Sequence, residues 1–252
     1  MVVVAGCAPK LRTYELYVRT KVAGVKSSKW SSVSQPLSKM DDSIRIRPIQ
    51  PQDAPEAAVL WRRGLEQTVD AAPTEEKRKL YREYFDKHAE EECSEGGAVG
   101  SNGAGLVDFY RPPNDACMFV AILEGRTMGD EGTPSGDTSK VVGMVGVKRG
   151  MDPANFPVDS EEQREDYNTF SIWKMSVAEE CRGRGVGRKL MAKAEKWARD
   201  QESSVLDGVA AKKRMRLFTA NPIAAAFYTS AVGFVVEEMT DHYGIYVKAL
   251  DT

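Results

Sequence analysis

The sequence has few of the residues that form metal centres and disulfide frameworks. Among its 252 residues there are only four cysteines and two histidines, which are Cys7, Cys93, Cys117, Cys181, His88 and His242. No two cysteines form a CxxC pair, and neither histidine has the ligand spacing of a zinc site. We therefore expect no metal cofactor and no disulfide network. This use of cysteine is typical of a reducing compartment, and the expected location is cytoplasmic.

Long apolar runs are also missing from the sequence. No segment approaches the roughly 18 consecutive apolar residues that a membrane-spanning helix needs. The hydrophobic content of 42% is nevertheless sufficient for a sizeable core. These two features predict a soluble protein that does not enter a membrane.

Acidic residues are scarce at the start of the chain. Residues 1–40 contain seven lysines and arginines against the single acidic residue Glu15, whereas the whole chain has a net charge of −2. The segment is also rich in serine. We interpret residues 1–42 as a basic N-terminal extension, either disordered or an organelle transit peptide that would direct the protein to an organelle matrix. A start codon at Met40 is a further alternative, and residues 43–252 form the remaining domain.

The most informative stretch is a glycine-rich turn between a strand and a helix. Residues 169–177 are β-branched and aromatic at strand length, and residues 188–199 place apolar side chains at helical spacing. The turn between them contains Gly183, Gly185 and Gly187, with the arginines Arg182, Arg184 and Arg188. Glycine lets the backbone bring its N–H groups close to a ligand, and the N-terminus of a helix attracts negative charge. The stretch therefore predicts a site for an anion such as a pyrophosphate.

Several kinds of turn share this general pattern. A Walker A loop requires Gly-Lys-Ser/Thr, but Gly187 is followed by Arg188 and Lys189, so no hydroxyl is placed for magnesium. A dinucleotide fingerprint requires G-x-G-x-x-G, whereas the glycines here read G-x-G-x-G. An ordinary strand–helix turn without a ligand is the remaining alternative.

A second motif lies near the C-terminus. Asn221 and Pro222 open a predicted helix over residues 223–231, followed by Gly233 as a left-handed cap. The pattern R-x-x-G-x-G from Arg182, together with N-x5-F-Y-x4-G-F from Asn221, resembles the signature of the GNAT (Gcn5-related) N-acetyltransferases. The resemblance covers residues 43–252 and is most specific over residues 169–236. The early part of the domain fits it, with a strand over residues 43–48, Asp53 as an N-cap and a helix over residues 56–65.

The resemblance implies an α/β (α+β) fold. It implies a mixed, mostly antiparallel central sheet of six to seven strands, flanked by helices and splayed at the acetyl-CoA site. Residues 66–115 form an insertion, which contains a predicted helix over residues 74–92 with His88 in its apolar stripe. We expect His88 to be packed or solvated rather than to bind a ligand, and we expect the glycine-rich residues 94–105 to be mobile.

The resemblance also implies an acetyl-CoA-dependent N-acetyltransferase that moves an acetyl group to a primary amine by direct attack in a ternary complex. Tyr228 would be the general acid. The expected cofactor-binding residues are Met175, Ser176, Val177, Arg182, Gly183, Arg184, Gly185, Val186, Gly187, Arg188 and Asn221. The partner would be an amine-bearing small molecule or a peptide, and we expect neither nucleic acid nor membrane as a partner. The protein would be a monomer or a homodimer.

The general base remains open. Many GNAT enzymes place a glutamate on the fourth strand, but this chain has Ile172, Trp173 and Lys174 there. Lys174, or a water relayed to Asp241, His242 or a carbonyl, would serve instead. The missing glutamate also favours the alternative function, a catalytically silent module that binds acyl-CoA and senses it.

Overall fold

The protein is described here from a computed structural model. The structure describes residues 44–95, 97–110, 114–125, 138–150, 168–202, 205–206, 209–210, 212–241 and 243–250. The predictions made for residues 1–42 and for His242 lie outside these residues. Residues 43–252 as the extent of a single domain therefore stay a prediction.

Seven strands form the main sheet, in the order β1-β2-β3-β4-β7-β9-β8. Their bounds are Ile44–Pro48 (β1), Ala116–Gly125 (β2), Thr138–Arg149 (β3), Thr169–Val177 (β4), Arg214–Thr219 (β7), Val235–Met239 (β8) and Gly244–Ala249 (β9). Two short strands, β5 (Val205–Leu206) and β6 (Val209–Ala210), pair only with each other within the described residues. All neighbouring strands are antiparallel except β4 and β7, which are parallel. The predicted fold class is confirmed.

Helices pack on this sheet. They are α1 (Ala54–Asp70), α2 (Glu75–Cys93), α3 (Ala104–Phe109), α4 (Val186–Asp200) and α5 (Pro222–Phe227). Helix α4 buries Leu190, Met191, Ala194 and Ala198, which recur at three- and four-residue spacing as an amphipathic helix requires. The predicted helix over residues 74–92 is confirmed, since α2 begins after Thr74, whose side chain accepts a hydrogen bond from the Lys77 amide at 3.2 Å.

The sheet opens between β4 and β7. In the described part of the chain, these two strands pair only where Thr169–Ser171 of β4 meet Arg214–Arg216 of β7. Beyond Ser171, β4 continues along β3 alone. Because parallel strands point the same way, the carboxyl-terminal halves of β4 and β7, which do not pair with each other, form the two sides of one opening. The predicted splay is thus present.

A bulge interrupts β4 inside this opening. Gly146 pairs with Trp173 and Met144 pairs with Ser176, so a single residue of β3 opposes both Lys174 and Met175. Lys174 has a φ of 51°, in the left-handed region that non-glycine residues seldom adopt. The bulge therefore changes the direction of the Lys174 side chain relative to a regular strand.

The glycines of β3 permit close packing. A Cβ atom on Gly143 would lie 2.9 Å from Leu190 Cδ1, and one on Gly146 would lie 2.6 Å from Tyr110 Cε1. Gly in a strand often marks such a close approach. Gly143 thus admits α4 onto the sheet, and Gly146 admits the buried ring of Tyr110.

Two local predictions were wrong in detail. The Asp53 carboxylate does not cap α1, because it accepts hydrogen bonds from the Gln50 amide at 2.8 Å and from the Arg47 guanidinium at 2.5 and 2.9 Å. The 3₁₀ turn Pro51–Asp53 carries the chain into α1 instead. The predicted helix over residues 223–231 also changes type, since α5 ends at Phe227 and continues as a π-helical turn over Tyr228–Val232. Gly233 then provides the expected left-handed cap, with a φ of 85°.

We expect mobility for residues 94–105, but the described part of this segment is packed. Val99 is fully buried, and the amides of Val99 and Gly100 both donate to the Glu92 carbonyl at 2.9 Å. Residues 104 and 105 already belong to α3. The segment is therefore held against the end of α2.

We expect Gly146→Ala to destabilise the protein. The added methyl group would overlap the Tyr110 ring, and overpacking of this kind costs about 1–3 kcal/mol. Chemical denaturation monitored by circular dichroism would measure the change in the free energy of unfolding. In the double variant Gly146→Ala/Tyr110→Leu, the penalty of the alanine should shrink. An alanine penalty that is the same with and without the Tyr110 ring would contradict this account of the contact.

Candidate functional site

A cleft of about 940 Å³ occupies the opening between β4 and β7. Its walls come from α1, α2, the carboxyl-terminal half of β4, the turn before α4, the end of β7 and the α5 region. The residues predicted as a site lie in three separate parts of the sequence, and with one exception they all line this cleft. The exception is Arg184.

The glycine turn forms one end of the cleft. Gly183 and Gly185 have φ values of 72° and 77°, and no atom lies within 4 Å of the position a Cβ would take at either residue. Gly185 is also the N-cap of α4. The first four N–H groups of a helix have no partner within it, and they carry the positive end of the helix dipole. The turn therefore offers amide donors next to open space, which fits the phosphate groups of a coenzyme.

The third glycine allows two elements to meet. A Cβ atom on Gly187 would lie 3.0 Å from Phe227 Cζ and 3.3 Å from Met175 Cε. Any larger residue would push α4 away from α5 and β4. Gly187 thus keeps the glycine turn close to the strand and helix that complete the cleft.

The arginines of the turn differ in position. Arg182 and Arg188 line the cleft, whereas Arg184 does not. The Arg182 guanidinium donates to the Val177 carbonyl at 3.3 Å and to the Gln67 side chain of α1. Arg182 therefore connects the end of β4 to α1, and it presents positive charge at the same end of the cleft as the open helix N-terminus.

The carboxyl-terminal end of β4 forms one long side of the cleft. Met175, Ser176 and Val177 all line it, on the side from which β7 has separated. Their other side is held by β3, through the pairs of Ser176 with Met144 and of Val177 with Gly143. A ligand with amide groups would thus find strand backbone in this position.

Asn221 has a structural role in addition to lining the cleft. Its side-chain oxygen accepts hydrogen bonds from the amides of Ile223 at 2.9 Å and Ala224 at 3.3 Å, so it caps α5. Its side-chain nitrogen donates to the Thr68 hydroxyl of α1 at 3.4 Å. Asn221 therefore ties α1 to α5 across the cleft.

Tyr228 lies where α5 becomes the π-helical turn. Its ring is 6% exposed and packs edge-on against Phe227 and Phe234, at centroid distances of 5.3 and 5.7 Å. It nevertheless lines the cleft. Burial raises the pKa of the Tyr228 phenol above its ordinary value, because the apolar surroundings disfavour the phenolate. The side chain is thus a protonated donor at neutral pH.

A cluster of ionisable residues at the opposite end of the cleft was not predicted from the sequence. Lys174 and His88 line the cleft, and both contact the Glu92 carboxylate. His88 Nε2 lies 3.3 Å from Glu92 Oε1, and Lys174 Nζ is paired with Glu92 Oε2. The Lys174 side chain is only 4% exposed, so it is not solvated. His88 and Glu92 are one helical turn apart, an i,i+4 spacing in the sequence that is the signal for their contact.

The pKa of the Cys181 thiol depends on its burial. The sequence leaves open whether nearby arginines and the helix N-terminus lower its pKa. In the structure Cys181 is 1% exposed, and burial raises the pKa of its thiol more than the charge of Arg184 lowers it. Cys181 is therefore a buried packing residue.

Two features are absent from the described residues. None of the described helices is both long and apolar enough to cross a membrane. Among the same residues, no group of three or more histidine, cysteine, aspartate or glutamate side chains is arranged to hold a metal ion.

Solved structures share this architecture. The PaiA N-acetyltransferase of Thermoplasma acidophilum, solved with coenzyme A, aligns over 82% of this chain and 99% of its own with a TM-score of 0.50 and 17% identity. A GNAT acetyltransferase of Staphylococcus aureus covers the same shares at a TM-score of 0.46 and 14% identity. Arabidopsis thaliana NAA60, solved with a bisubstrate analogue, covers the same shares at a TM-score of 0.41 and 15% identity. At 17% identity the likeness to the PaiA structure concerns the fold alone.

The sequence comparison is more direct. No curated protein sequence matches this chain. The sequence model of the acetyltransferase (GNAT) family, however, matches residues 73–234, which contain the glycine turn, the opening between β4 and β7, and Tyr228. The chain therefore belongs to the GNAT acetyltransferase family.

Proposed function

We propose that the protein is an acetyl-CoA-dependent N-acetyltransferase that transfers the acetyl group to a primary amine by direct attack in a ternary complex. The observation that supports this most is the continuity of the cleft. A single opening joins the glycine turn, the open side of β4 and Tyr228 to a separate end near α2. Donor and acceptor therefore have room to lie side by side.

The donor half has a group suited to each part of coenzyme A. The amides at the start of α4, with Arg182 and Arg188, would hold the pyrophosphate. The backbone of residues 175–177 would pair with the amides of the pantetheine arm, as an added strand pairs with a sheet edge. Asn221 would contact the same arm while it caps α5. Arg184 would act through long-range charge, because it lies outside the cleft lining.

Coenzyme A supplies the acetyl group as a thioester. The amine must be neutral when its nitrogen attacks the acetyl carbon, because a protonated amine has no lone pair. The C–N bond forms, the C–S bond breaks, and the sulfur takes a proton. Holding both reactants in one cleft can lower the barrier by roughly 7–11 kcal/mol, which exceeds the effect of one acid or base. Positioning is thus the main contribution of the fold.

Tyr228 would donate the proton to the departing sulfur. Its buried phenol stays protonated at neutral pH, because burial raises its pKa. Its position after α5 places it beside Phe227, which in turn contacts the glycine turn at Gly187. Tyr228 is thereby linked by packing to the element that would hold the coenzyme.

We expect Tyr228→Phe to lower kcat for amine acetylation by about 10²–10⁴-fold, with the affinity for coenzyme A unchanged. The ring and its packing remain, and only the donor is lost. The factor should be the same from about pH 7 to pH 9, since the raised pKa keeps the phenol protonated over this range. Thiol release from acetyl-CoA and calorimetric binding of coenzyme A would provide the two quantities.

The control for this variant is Tyr246→Phe. Tyr246 is also buried, at 4% exposure, and its hydroxyl contacts Met239 Sδ at 3.9 Å outside the cleft. This variant should keep wild-type turnover. If coenzyme A binds but no amine accelerates thiol release in the wild-type protein, the catalytically silent sensing module becomes the correct function.

We expect Gly185→Glu to weaken coenzyme A binding at least about tenfold more than Gly185→Gln, a difference of ~1.4 kcal/mol or more. Both side chains impose the same strain at a φ of 77°, so the comparison isolates the negative charge beside the phosphates. Calorimetry at low and high salt would measure both dissociation constants. The difference should shrink at high salt, because ions screen exposed charges. Equal affinities of the two variants would show that the phosphates bind elsewhere.

A further inference from the structure

We propose that the end of the cleft near α2 is an acceptor subsite for amines that carry an aromatic or apolar body, and that it disfavours polyamines and basic peptides. This inference rests on the proposed function, because it assigns the acceptor of that same cleft. It comes from the rings that line this end and from the charges around them.

The rings come from elements that are distant in the sequence. They are Trp61 of α1, Tyr81, Tyr84 and Phe85 of α2, Trp173 of β4, Phe218 of β7 and Tyr243 before β9. All of them line the same cleft as Tyr228. We call this set the aromatic wall. Such a wall provides apolar contact area for a ring or a hydrocarbon chain.

Ring contacts fix the shape of the aromatic wall in advance. On one side Phe218 lies edge-on to both Trp173 and Tyr243, at centroid distances of 6.1 and 5.8 Å. On the other side Phe85 contacts Tyr84 at 5.4 Å and Tyr81 at 6.1 Å. A preformed surface loses little side-chain freedom when a ligand binds. The wall is therefore suited to hold a rigid apolar group.

The mouth of this end is apolar as well. Leu80 and Tyr84 are 43% and 50% exposed, although both belong to a helix that is otherwise highly charged. Large exposed apolar residues that border a cleft are typical of a binding surface. Their position extends the aromatic wall outward, towards an entering ligand.

The charges of the cleft lining disfavour an acceptor amine that carries a second positively charged group. Among the described residues that line the cleft there is no aspartate and no glutamate. Its cationic residues are Lys174, Arg182 and Arg188. The carboxylate behind the lining, Glu92, is already paired with Lys174 and His88. A polyamine or a lysine-rich peptide would thus bring additional positive charge to a lining whose described residues offer it no carboxylate.

Matched pairs of amines test the acceptor class. Comparing 2-phenylethylamine with ethylamine isolates the ring, and we expect kcat/KM to be at least about thirtyfold higher for the ring-bearing amine. Comparing n-butylamine with 1,4-diaminobutane isolates the second charge, and we expect kcat/KM to be at least about tenfold lower for the diamine. Equal values within both pairs, or a preference for the diamine, would overturn the inference.

A pair of variants assigns the effect to the aromatic wall. Tyr84→Ala removes a half-exposed ring and should raise KM for 2-phenylethylamine by about five- to tenfold, with KM for acetyl-CoA unchanged. Tyr84→Phe keeps the ring, so KM for 2-phenylethylamine should rise less in this variant than in Tyr84→Ala. Unchanged KM in Tyr84→Ala would count against the wall as the binding surface.

Binding without turnover separates this inference from the proposed function. Calorimetry on the protein saturated with coenzyme A would measure the affinity for the same four amines. If no amine is acetylated but 2-phenylethylamine still binds more tightly than ethylamine, the aromatic wall stands as a binding surface for ring-bearing amines, and the proposed function fails. If no ring-dependent binding occurs, the subsite inference fails, whatever the turnover.

A different observation, the cluster of His88, Glu92 and Lys174, supports a second inference, which also rests on the proposed function. The geometry points to His88 as the group that takes the proton from the attacking amine. The side chains of His88, Glu92 and Lys174 are 24%, 14% and 4% exposed, so the most exposed member of the cluster is the histidine that lines the cleft.

Neighbouring groups orient the imidazole. The Glu92 carboxylate lies 3.3 Å from Nε2, and the Tyr84 ring is stacked with His88 at 6.0 Å. In a neutral imidazole one ring nitrogen carries a proton and the other can accept one. Lys174 holds the other carboxylate oxygen, and its ammonium lies 4.4 Å from the centroid of the Trp61 ring. The titratable groups that the described residues place around His88 include Tyr84 and Glu92 from α2 and Lys174 from β4, and Tyr84 in turn interacts with Glu91 and Tyr243.

Every proton is accounted for when His88 accepts the proton of the attacking amine. As the C–N bond forms and the C–S bond breaks, the nitrogen gives one proton to His88, and Tyr228 gives one to the sulfur. Both side chains return to their starting states by exchange with solvent. One neutral amine and one thioester thus give one amide and one thiol.

We expect His88→Gln to lower kcat by about 10²–10⁴-fold. His88→Ala should recover part of its rate when imidazole is added, whereas loss of a purely structural histidine would not be rescued in this way. Wild-type turnover that persists within about threefold in His88→Gln would overturn this second inference alone, and a wild-type protein without turnover would overturn it together with the proposed function.

Discussion

The separation of β4 from β7 is the constraint on which the rest of this structure depends. The two parallel strands share pairs only at Thr169–Ser171 within the described residues, and beyond that point each is held by its other neighbour, β3 or β9. Backbone N–H and C=O groups that no longer pair with a neighbouring strand need other hydrogen-bond partners. An opening of this kind inside a sheet is therefore suited to a ligand with amide groups, and α1, α4 and α5 all contribute residues to its walls.

The two ends of the cleft are built in different ways. The end near α4 depends on backbone: left-handed glycines, unpaired amides at a helix start and the open side of a strand. The end near α2 depends on side chains, with the aromatic wall and the His88 cluster. Backbone recognition changes little with sequence, whereas side chains can be replaced one at a time. This division would let the fold keep the proposed donor end while the proposed acceptor end is shaped independently.

Lys174 illustrates how the fold makes use of an unusual conformation. Its φ of 51° at the β4 bulge is strained for a residue other than glycine, and its ammonium is almost fully buried. Burial of a single charge would be strongly unfavourable, but the Glu92 carboxylate and the face of Trp61 lie beside it. The pair positions a carboxylate from α2 next to the strand where the sequence has none, and it ties α2 to the sheet.

The sequence by itself determined the local features. The glycine turn, the amphipathic α4, the Thr74 cap of α2 and the Gly233 cap each depend on neighbouring residues, and the two motifs were sufficient to infer the fold. Only the tertiary structure decided which distant groups meet. Glu92 and Lys174 are 82 residues apart, and Asp53 prefers Arg47 of β1 to the helix that follows it. Such pairs follow from how strands and helices pack, because local spacing carries no information about contacts between separate elements.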